Sequence, residues 1–431
     1  MVIEIFIRLR DRVWMILLVV FFRLLLDLSY VTIVSETFSY VGYEYSPRGL
    51  VGVTVSYLFT VVLAALFSPN LEFVSRIVVF YLFLFTYIPI STLFAQNDAL
   101  GWGPYLLLTA CFLLLIFGIR MRPPALRNSA VLRFKKGYDL KFSLAATGVT
   151  LAVLLSKYGV PTHLPSLSEI YEVRESFKEA VSRFVGYAVG WQGNVFNGFL
   201  FIAGILRRSI LLVTGALFFQ LYLYSITGFK SLLFSFIFIL WLVIGVRFFR
   251  PYLAYYLAGM VCLALVAIII STKYLEVLVI LPGIFLFRLY FLPAQLYYYY
   301  YDFFSHHYFD WFTQNLPVSF FANSNYKIPI PYVIGDYYFG GAETSANANL
   351  FADGYANLGI AGCLLVTLIL IVVLHVLDML SSEKNRYLVI SVIAMPMFFL
   401  TNSSLQTTFL THGFLIAIMI IFLLPEENRS L

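Results

Sequence analysis

Charged side chains are scarce in this chain. They make up 12% of its 431 residues, about half the share found in a typical soluble domain. So few ionised groups cannot solvate the surface of soluble domains of this size. The apolar runs also lack the alternation of apolar and polar residues that a membrane β-barrel needs. The scarcity of charge therefore excludes a soluble enzyme and a disordered chain, and the missing alternation excludes a barrel.

Cysteines and cofactor motifs are also sparse. Cys111, Cys262 and Cys363 each lie inside an apolar run, an odd number without metal-ligand spacing, so neither a disulfide framework nor a zinc site is indicated. The glycines have neither P-loop nor dinucleotide-binding spacing. Although the net charge is +6, the basic residues cluster in short loops, which indicates membrane topology rather than nucleic-acid binding. We expect no metal, no cofactor and no nucleic acid.

Long hydrophobic runs dominate the sequence instead. Hydrophobic residues make up 61% of the chain, and many runs reach the ~20 residues that cross a bilayer. The pattern predicts an all-α, polytopic integral membrane protein, forming one membrane domain over residues 1–431 with about twelve transmembrane helices. The predicted spans are 13–34, 49–67, 74–95, 102–119, 140–157, 184–206, 209–226, 231–246, 252–271, 356–377, 387–402 and 406–424.

The distribution of basic residues predicts the orientation. With a cytoplasmic N-terminus, most of the 28 Lys and Arg residues fall on the cytoplasmic side, including a cluster from Arg120 to Lys141. Both termini are then cytoplasmic. Two of the segments on the other side stand out, residues 158–183 and the much longer 272–355. Long connections usually carry binding or catalytic elements.

One apolar segment, residues 276–292, does not fit this topology. If it crossed the membrane, Lys384 and Arg386 would move to the outer side. It also contains Pro282 and the charged Arg288. We therefore expect a broken, re-entrant or interfacial piece that brings Arg288 to the membrane surface.

Arg23 and Asp27 lie within the first predicted span. Because they are four residues apart, they share one helix face. A structural ion pair is favoured over a functional site, although charged residues inside a membrane usually have a functional role.

Two arginines in the outer segments, Arg174 and Arg288, are candidates for phosphate recognition. The guanidinium group is permanently charged and forked, so it suits bidentate binding of phosphate oxygens. A pair of them could hold a diphosphate and stabilise the charge of a leaving group without a metal. The alternative is snorkelling, or an ion pair with Glu172 or Asp302.

Several outer side chains could complete a site. A general base is available among five carboxylates. His306 and His307 are adjacent, which is poor spacing for a zinc pair, although Asp302 and Asp310 leave a weak metal alternative open. The aromatic tract from Tyr297 to Trp311 suits either an interfacial belt or stacking on sugar rings. The candidate bases are Asp302, Asp310, Asp336, Glu343 and Asp353.

Four motifs together resemble a known family. The chain is similar to the bacterial O-antigen or capsule repeat-unit polymerases, the Wzy family, over most of its length from about residue 165. The motifs are Tyr171-Glu-Val-Arg174, Arg288-Leu-Tyr-Phe-Leu-Pro293-Ala, Tyr301-Asp302-Phe-Phe and Ser345-Ala-Asn347-Ala-Asn349-Leu-Phe-Ala-Asp353-Gly-Tyr-Ala-Asn357-Leu-Gly359-Ile-Ala-Gly362.

The resemblance implies a GT-C-like glycosyltransferase of the bacterial inner membrane with a periplasmic active site. Such an enzyme transfers a growing glycan from undecaprenyl diphosphate to the non-reducing-end sugar of another lipid-linked repeat unit. It implies two partners besides the bilayer: undecaprenyl-diphosphate-linked oligosaccharides and, in some systems, a chain-length regulator. The related O-antigen ligases need no nucleotide sugar or metal.

Departures from the ligases favour the polymerase. Ala348 stands where the ligases have a histidine, and Asn357 stands where they have a glutamate. The resulting hypothesis gives catalysis to Arg288, at the leaving group, and to Asp353, or failing it Asp302 or Glu343, as the base. The alternatives are an O-antigen ligase, a flippase or other transporter of lipid-linked oligosaccharide, and a structural partner of an export complex. The predicted substrate-binding residues are Arg174, Asn347, Asn349, Glu343, Tyr301, Tyr355 and His306. Asn347 and Asn349 could instead cap the helix near residue 350, and for Asn347 capping is the favoured role.

Overall fold

The computed structural model describes residues 2–121, 138–161, 163–166, 169–275, 282–341 and 343–425. The predicted all-α fold is confirmed. No strand forms within these ranges, where a lone parallel bridge pairs Ser46 with Asn97. Most of the predicted basic cluster, residues 122–137, and the first part of the 276–292 segment lie outside the described residues.

Eight helices in the described part of the chain are long and apolar enough to cross a membrane. Each coincides with one predicted span. The other four predicted spans correspond to apolar helices of only 10–17 residues. The eight long helices are Arg10–Thr37, Val74–Gln96, Asp139–Tyr158, Arg183–Leu206, Ile210–Thr227, Lys230–Phe248, Arg250–Thr272 and Leu350–Leu380, and the shorter ones are Leu50–Leu66, Trp102–Gly118, Arg386–Phe399 and Phe414–Leu423.

The chain forms two compact units. The first contains residues 1–123, 249–375 and 400–406, and the second contains residues 124–248, 376–399 and 407–431. Besides its long helices, the first unit contains Pro282–Phe291, Leu292–His306 and Ile330–Phe339, and the second contains Ile170–Ala180.

A buried polar cluster lies in the first unit around Arg23, which is completely buried. Its Nε donates to Asp27 Oδ1 at 3.1 Å, and Nη1 donates to Ser91 Oγ at 2.7 Å. Nη2 reaches Ser56 Oγ at 3.4 Å, and the Tyr57 hydroxyl donates to the second Asp27 oxygen. Every nitrogen of this guanidinium therefore has a partner, as a structural ion pair requires.

The second unit has a buried amide network of its own. Gln192 Nε2 donates to Asn197 Oδ1 at 2.6 Å, and Asn197 Nδ2 donates to Gln220 Oε1 at 2.7 Å. Gln220 in turn donates to Ser235 Oγ at 2.8 Å. These bonds join three apolar helices, a common way to satisfy polar groups between membrane helices.

Candidate functional site

The helix Leu292–His306 continues the π-helix Pro282–Phe291 and is anchored in the first unit by aromatic contacts. The Tyr290 ring stacks on Phe85 with centroids 5.3 Å apart. Further along, Gln295 Nε2 donates to Val41 O at 2.8 Å, and the Tyr297 hydroxyl donates to Pro104 O at 2.8 Å. The helix therefore lies against the other helices of this unit over much of its length.

Much of the tyrosine tract is core rather than surface. Tyr297, Tyr298 and Tyr300 are buried, so neither an interfacial belt nor a sugar-binding surface describes them. Burial raises the pKa of Tyr300, and the nearby Asp353 carboxylate raises it further. Tyr300 therefore stays protonated, and its hydroxyl donates to Ala346 O at 3.0 Å.

Arg288 is exposed and makes no hydrogen bond or ion pair with the described residues. The preceding residue fixes this part of the helix, because the Phe287 ring stacks on Phe38 at 4.5 Å. The alternative pairing with Asp302 does not form. The two residues are fourteen positions apart on one continuous helix, a separation of roughly 20 Å along its axis.

Arg48 in the same unit shows the opposite situation. Its guanidinium donates to the backbone oxygens of Phe94 at 3.1 Å and Asp98 at 3.0 Å, and also to those of Asn97 and Leu100. It lies over the Phe94 ring, 4.2 Å from the centroid. Arg48 is a structural clamp, whereas no described residue takes up the hydrogen-bonding capacity of Arg288.

Arg174 belongs to the second unit. It is half-buried in the helix Ile170–Ala180, and Nη2 donates to Gly228 O at 3.3 Å. Its charge lies over the rings of Tyr171 and Phe229, 5.9 and 5.6 Å from the centroids. Its buried Nε has no partner among the described residues, so part of the fork is unsatisfied.

A helical hairpin carries Asp353. The helix Leu350–Leu380 is interrupted at Leu358 and Gly359, where Gly359 adopts φ +60°, and the short helix 350–357 folds back beside the long helix 360–380. The two pieces approach so closely that a Cβ on Gly362 would lie 1.8 Å from Gly354 O. Only glycine fits such a contact.

Asn349 begins this hairpin. Its side-chain oxygen accepts hydrogen bonds from the backbone nitrogens of Phe351 at 3.1 Å and Ala352 at 3.0 Å, which is N-terminal capping. The residue is completely buried, and its Nδ2 has no partner within the described ranges. Capping is thus the role of Asn349. The expectation that Asn347 caps this helix is wrong, because Asn347 is exposed and, among the described residues, its side chain bonds to Ser345 Oγ at 3.0 Å.

The Asp353 carboxylate is half-buried and has no hydrogen-bond partner among the described side chains. The Asp310 carboxylate is close enough to act on it electrostatically. Asp310 is itself buried and fully engaged, because Ser324 and Thr313 hydroxyls and the Gln314 backbone nitrogen all donate to it. Of these two carboxylates, Asp353 is the one that is free to accept a proton.

The loop bearing Asp310 is fastened to the hairpin through Asn357. The Asn357 side-chain oxygen accepts from Phe312 N at 2.7 Å, and its backbone oxygen accepts from Trp311 N at 3.0 Å. Trp311 and Phe312 are held at φ 57° and 59°, a left-handed conformation that non-glycine residues rarely adopt. Such local strain is common around functional sites.

Asp302 lies at the far end of its helix and is paired there. The Tyr338 hydroxyl donates to Asp302 Oδ2 at 2.5 Å, and burial together with this bond raises the pKa of Tyr338. His306 is exposed and directs Nδ1 to the Asp302 backbone oxygen at 2.9 Å. Asp302 and His306 therefore form a second group, separate from Arg288.

Two further predicted residues stack together. The rings of Tyr301 and Tyr355 are 4.2 Å apart, and the Tyr355 hydroxyl lies 3.1 Å from Ser305 Oγ. Glu343 is exposed and has no described partner. The fold thus brings Asn349, Asp353 and Tyr355 together on the hairpin, while Glu343 and Arg288 stand apart.

Sequence reasoning overlooked Tyr300 and Tyr338 as neighbours of the carboxylates, and it gave Asn357 no structural role. No local signal marks them, since each acts through residues distant in sequence. Within the described residues, no group of three or more His, Cys, Asp or Glu side chains could hold a metal ion. Comparisons with protein-family models, curated proteins and solved structures found no match to this chain.

Proposed function

We propose that this chain is a membrane glycosyltransferase that polymerises lipid-linked glycan repeat units. It would transfer the growing glycan from undecaprenyl diphosphate to the terminal sugar of another undecaprenyl-diphosphate-linked unit. The observation that carries the proposal is Arg288, an exposed guanidinium with no partner among the described residues, in a chain that engages Arg23 and Arg48 with several hydrogen bonds each. The motif resemblance supports the same reaction.

The proposal includes the finer topology. Twelve spans would put both termini in the cytoplasm and the segments 158–183 and 272–355 in the periplasm, with the chain in a bacterial inner membrane. The eight long and four shorter apolar helices at the predicted positions support this count.

In the proposed reaction, Arg288 binds the donor diphosphate. An acceptor hydroxyl attacks the anomeric carbon, the new glycosidic bond forms, and the bond from that carbon to the diphosphate oxygen breaks. Arg288 stabilises the negative charge on the leaving diphosphate, and Asp353 takes the proton from the attacking hydroxyl. Arg174, with its partly unsatisfied fork, would bind a second anionic group.

Asp302 has a different role in this mechanism. Because one of its oxygens already accepts a hydrogen bond from the Tyr338 hydroxyl, it suits binding of sugar hydroxyls better than proton abstraction. Tyr301, Tyr355, His306, Glu343 and Asn347 are proposed as further contacts of the glycan.

The test is a gel of cell-surface polysaccharide from a strain in which the gene is deleted. Rescue by wild type should restore the polymer ladder, whereas Arg288→Ala should leave lipid A core with a single repeat unit. Arg288→Lys should also be impaired, because lysine lacks the bidentate fork. Arg183→Ala is the matched control, since Arg183 is another exposed arginine, and it should restore the ladder.

A full-length ladder from Arg288→Ala, at wild-type protein levels, would refute the role of Arg288. Bare core with polymer held on the lipid carrier in the deletion strain would indicate a ligase. Bare core with single units trapped on the inner leaflet would indicate a flippase.

A further inference from the structure

The segment 308–321, here named the aromatic loop, carries four large rings that face outward. Tyr308 is 81% exposed, Trp311 59%, Phe320 75% and Phe321 86%. Single exposed apolar residues are common, but several large ones in one short segment mark an interaction surface. None of these four rings is needed by the proposed chemistry.

The surface of this loop is uncharged. Asp310 is the only acidic or basic residue in it, and that carboxylate is buried and bonded to Ser324 and Thr313. A charged partner would therefore find no exposed countercharge on this loop. Trp, Tyr and Phe without charge are instead the residues that suit the boundary between lipid headgroups and hydrocarbon.

The loop is attached where membrane helices end. The Phe309 ring packs against Gly359, so closely that a Cβ there would lie 2.8 Å from Phe309 Cζ. Gly359 immediately precedes the helix 360–380, the longer part of a candidate span. A helix of that length would cross the bilayer and end near its surface, which would put the loop at the depth of the headgroups.

The backbone of the aromatic loop is held in place at two points. Trp311 and Phe312 keep their left-handed conformation because Asn357 binds both of their backbone nitrogens. The other end of the loop is fixed as well, since Leu316 O accepts a hydrogen bond from Gln406 Nε2 at 3.0 Å.

We propose that the aromatic loop is a membrane anchor, with Trp311, Phe320 and Phe321 seated in the lipid headgroup region of the bilayer that the spans cross. The occupant of this surface is lipid. Through Asn357, the anchor holds the short helix 350–357 at a constant depth.

Site-directed spin labelling of the full chain in vesicles of phosphatidylethanolamine and phosphatidylglycerol tests this. Phe320→Cys and Phe321→Cys supply labelling sites, and the native cysteines are buried. Power saturation compares the access of oxygen, which concentrates in lipid, with that of a water-soluble nickel chelate. Both labels should favour oxygen, so the logarithm of the oxygen-to-nickel access ratio should be positive.

Glu343→Cys is the control, because Glu343 is exposed in the same unit and should favour the nickel chelate. Nickel access at residues 320 and 321 equal to that at 343 would overturn the anchor. Low access of both reagents, which means burial against protein, would overturn it too. A third outcome would also overturn the anchor. The labels would be accessible to the nickel chelate in glycan-free vesicles and would lose that access only when lipid-linked oligosaccharide is added, which would mean that the rings bind sugar.

Discussion

Two arginine sites in the first unit differ in what surrounds the charge. Around Arg23, the fold supplies a carboxylate, two hydroxyls and an aromatic face, and excludes water. Around Arg288, the fold supplies no described partner and leaves the side chain exposed. A satisfied buried charge contributes to structure, whereas an unsatisfied charge held on a packed helix is available to a ligand. The difference lies entirely in the neighbours.

The largest effect is expected from a substitution that removes the ion pair between Arg23 and Asp27. Arg23→Met leaves the Asp27 carboxylate buried without its countercharge, which costs about 3–5 kcal/mol in the free energy of unfolding. Thermal unfolding of the purified protein in detergent should show the loss. Arg288→Ala, measured in parallel, should unfold as wild type does.

The double variant Arg23→Met/Asp27→Leu sharpens this prediction. Replacing both charges with apolar groups removes the uncompensated carboxylate, so stability should return at least partly towards wild type. If the double variant is as unstable as the single one, the pair itself is not the cause.

The next largest effect is expected at Asp353, on the rate of polymerisation and not on stability. Asp353→Asn keeps the shape of the side chain but cannot accept the proton, so polymerisation should slow about 10²–10⁴-fold. Asp98→Asn is the matched control, because Asp98 is an exposed acid of the same unit. Chain extension assayed with purified protein and lipid-linked repeat units measures both. Equal rates for the two variants would remove Asp353 from the mechanism.

The hairpin that presents Asp353 gives a smaller effect. Gly362→Ala places a methyl group against Gly354 O, so overpacking should cost about 1–3 kcal/mol in unfolding free energy. Gly148→Ala is the control, since a Cβ at Gly148 would meet no atom within 4 Å. Comparable melting temperatures for the two variants would contradict the close contact.

The smallest expected effect concerns the helix cap. Asn349→Ala removes the acceptor for the backbone nitrogens of Phe351 and Ala352, at a cost of about 1 kcal/mol. Asn347→Ala should cost less, because Asn347 is exposed and caps nothing. Thermal unfolding of the two variants compares them, and a greater loss at Asn347 would reverse the assignment.

The sequence by itself determined the helical fold and where the apolar helices lie. Hydrophobic runs of span length can fold in lipid only by forming backbone bonds within each segment, so the predicted 74–95 and 252–271 coincide with observed helices. The spacing of Arg23 and Asp27 predicted their pairing, because residues four apart on a helix are neighbours.

Only the tertiary structure decided which charged groups are free. Nothing in the sequence distinguishes Arg48, Arg174 and Arg288. In the fold, backbone oxygens of residues 94–100 accept hydrogen bonds from Arg48, and the Gly228 oxygen accepts one from Arg174. Likewise Asp310 accepts a hydrogen bond from Ser324, fourteen residues away, while no described side chain bonds to the Asp353 carboxylate. Such contacts join distant parts of the chain, and local patterns carry no information about them. The availability of a side chain is therefore settled by packing.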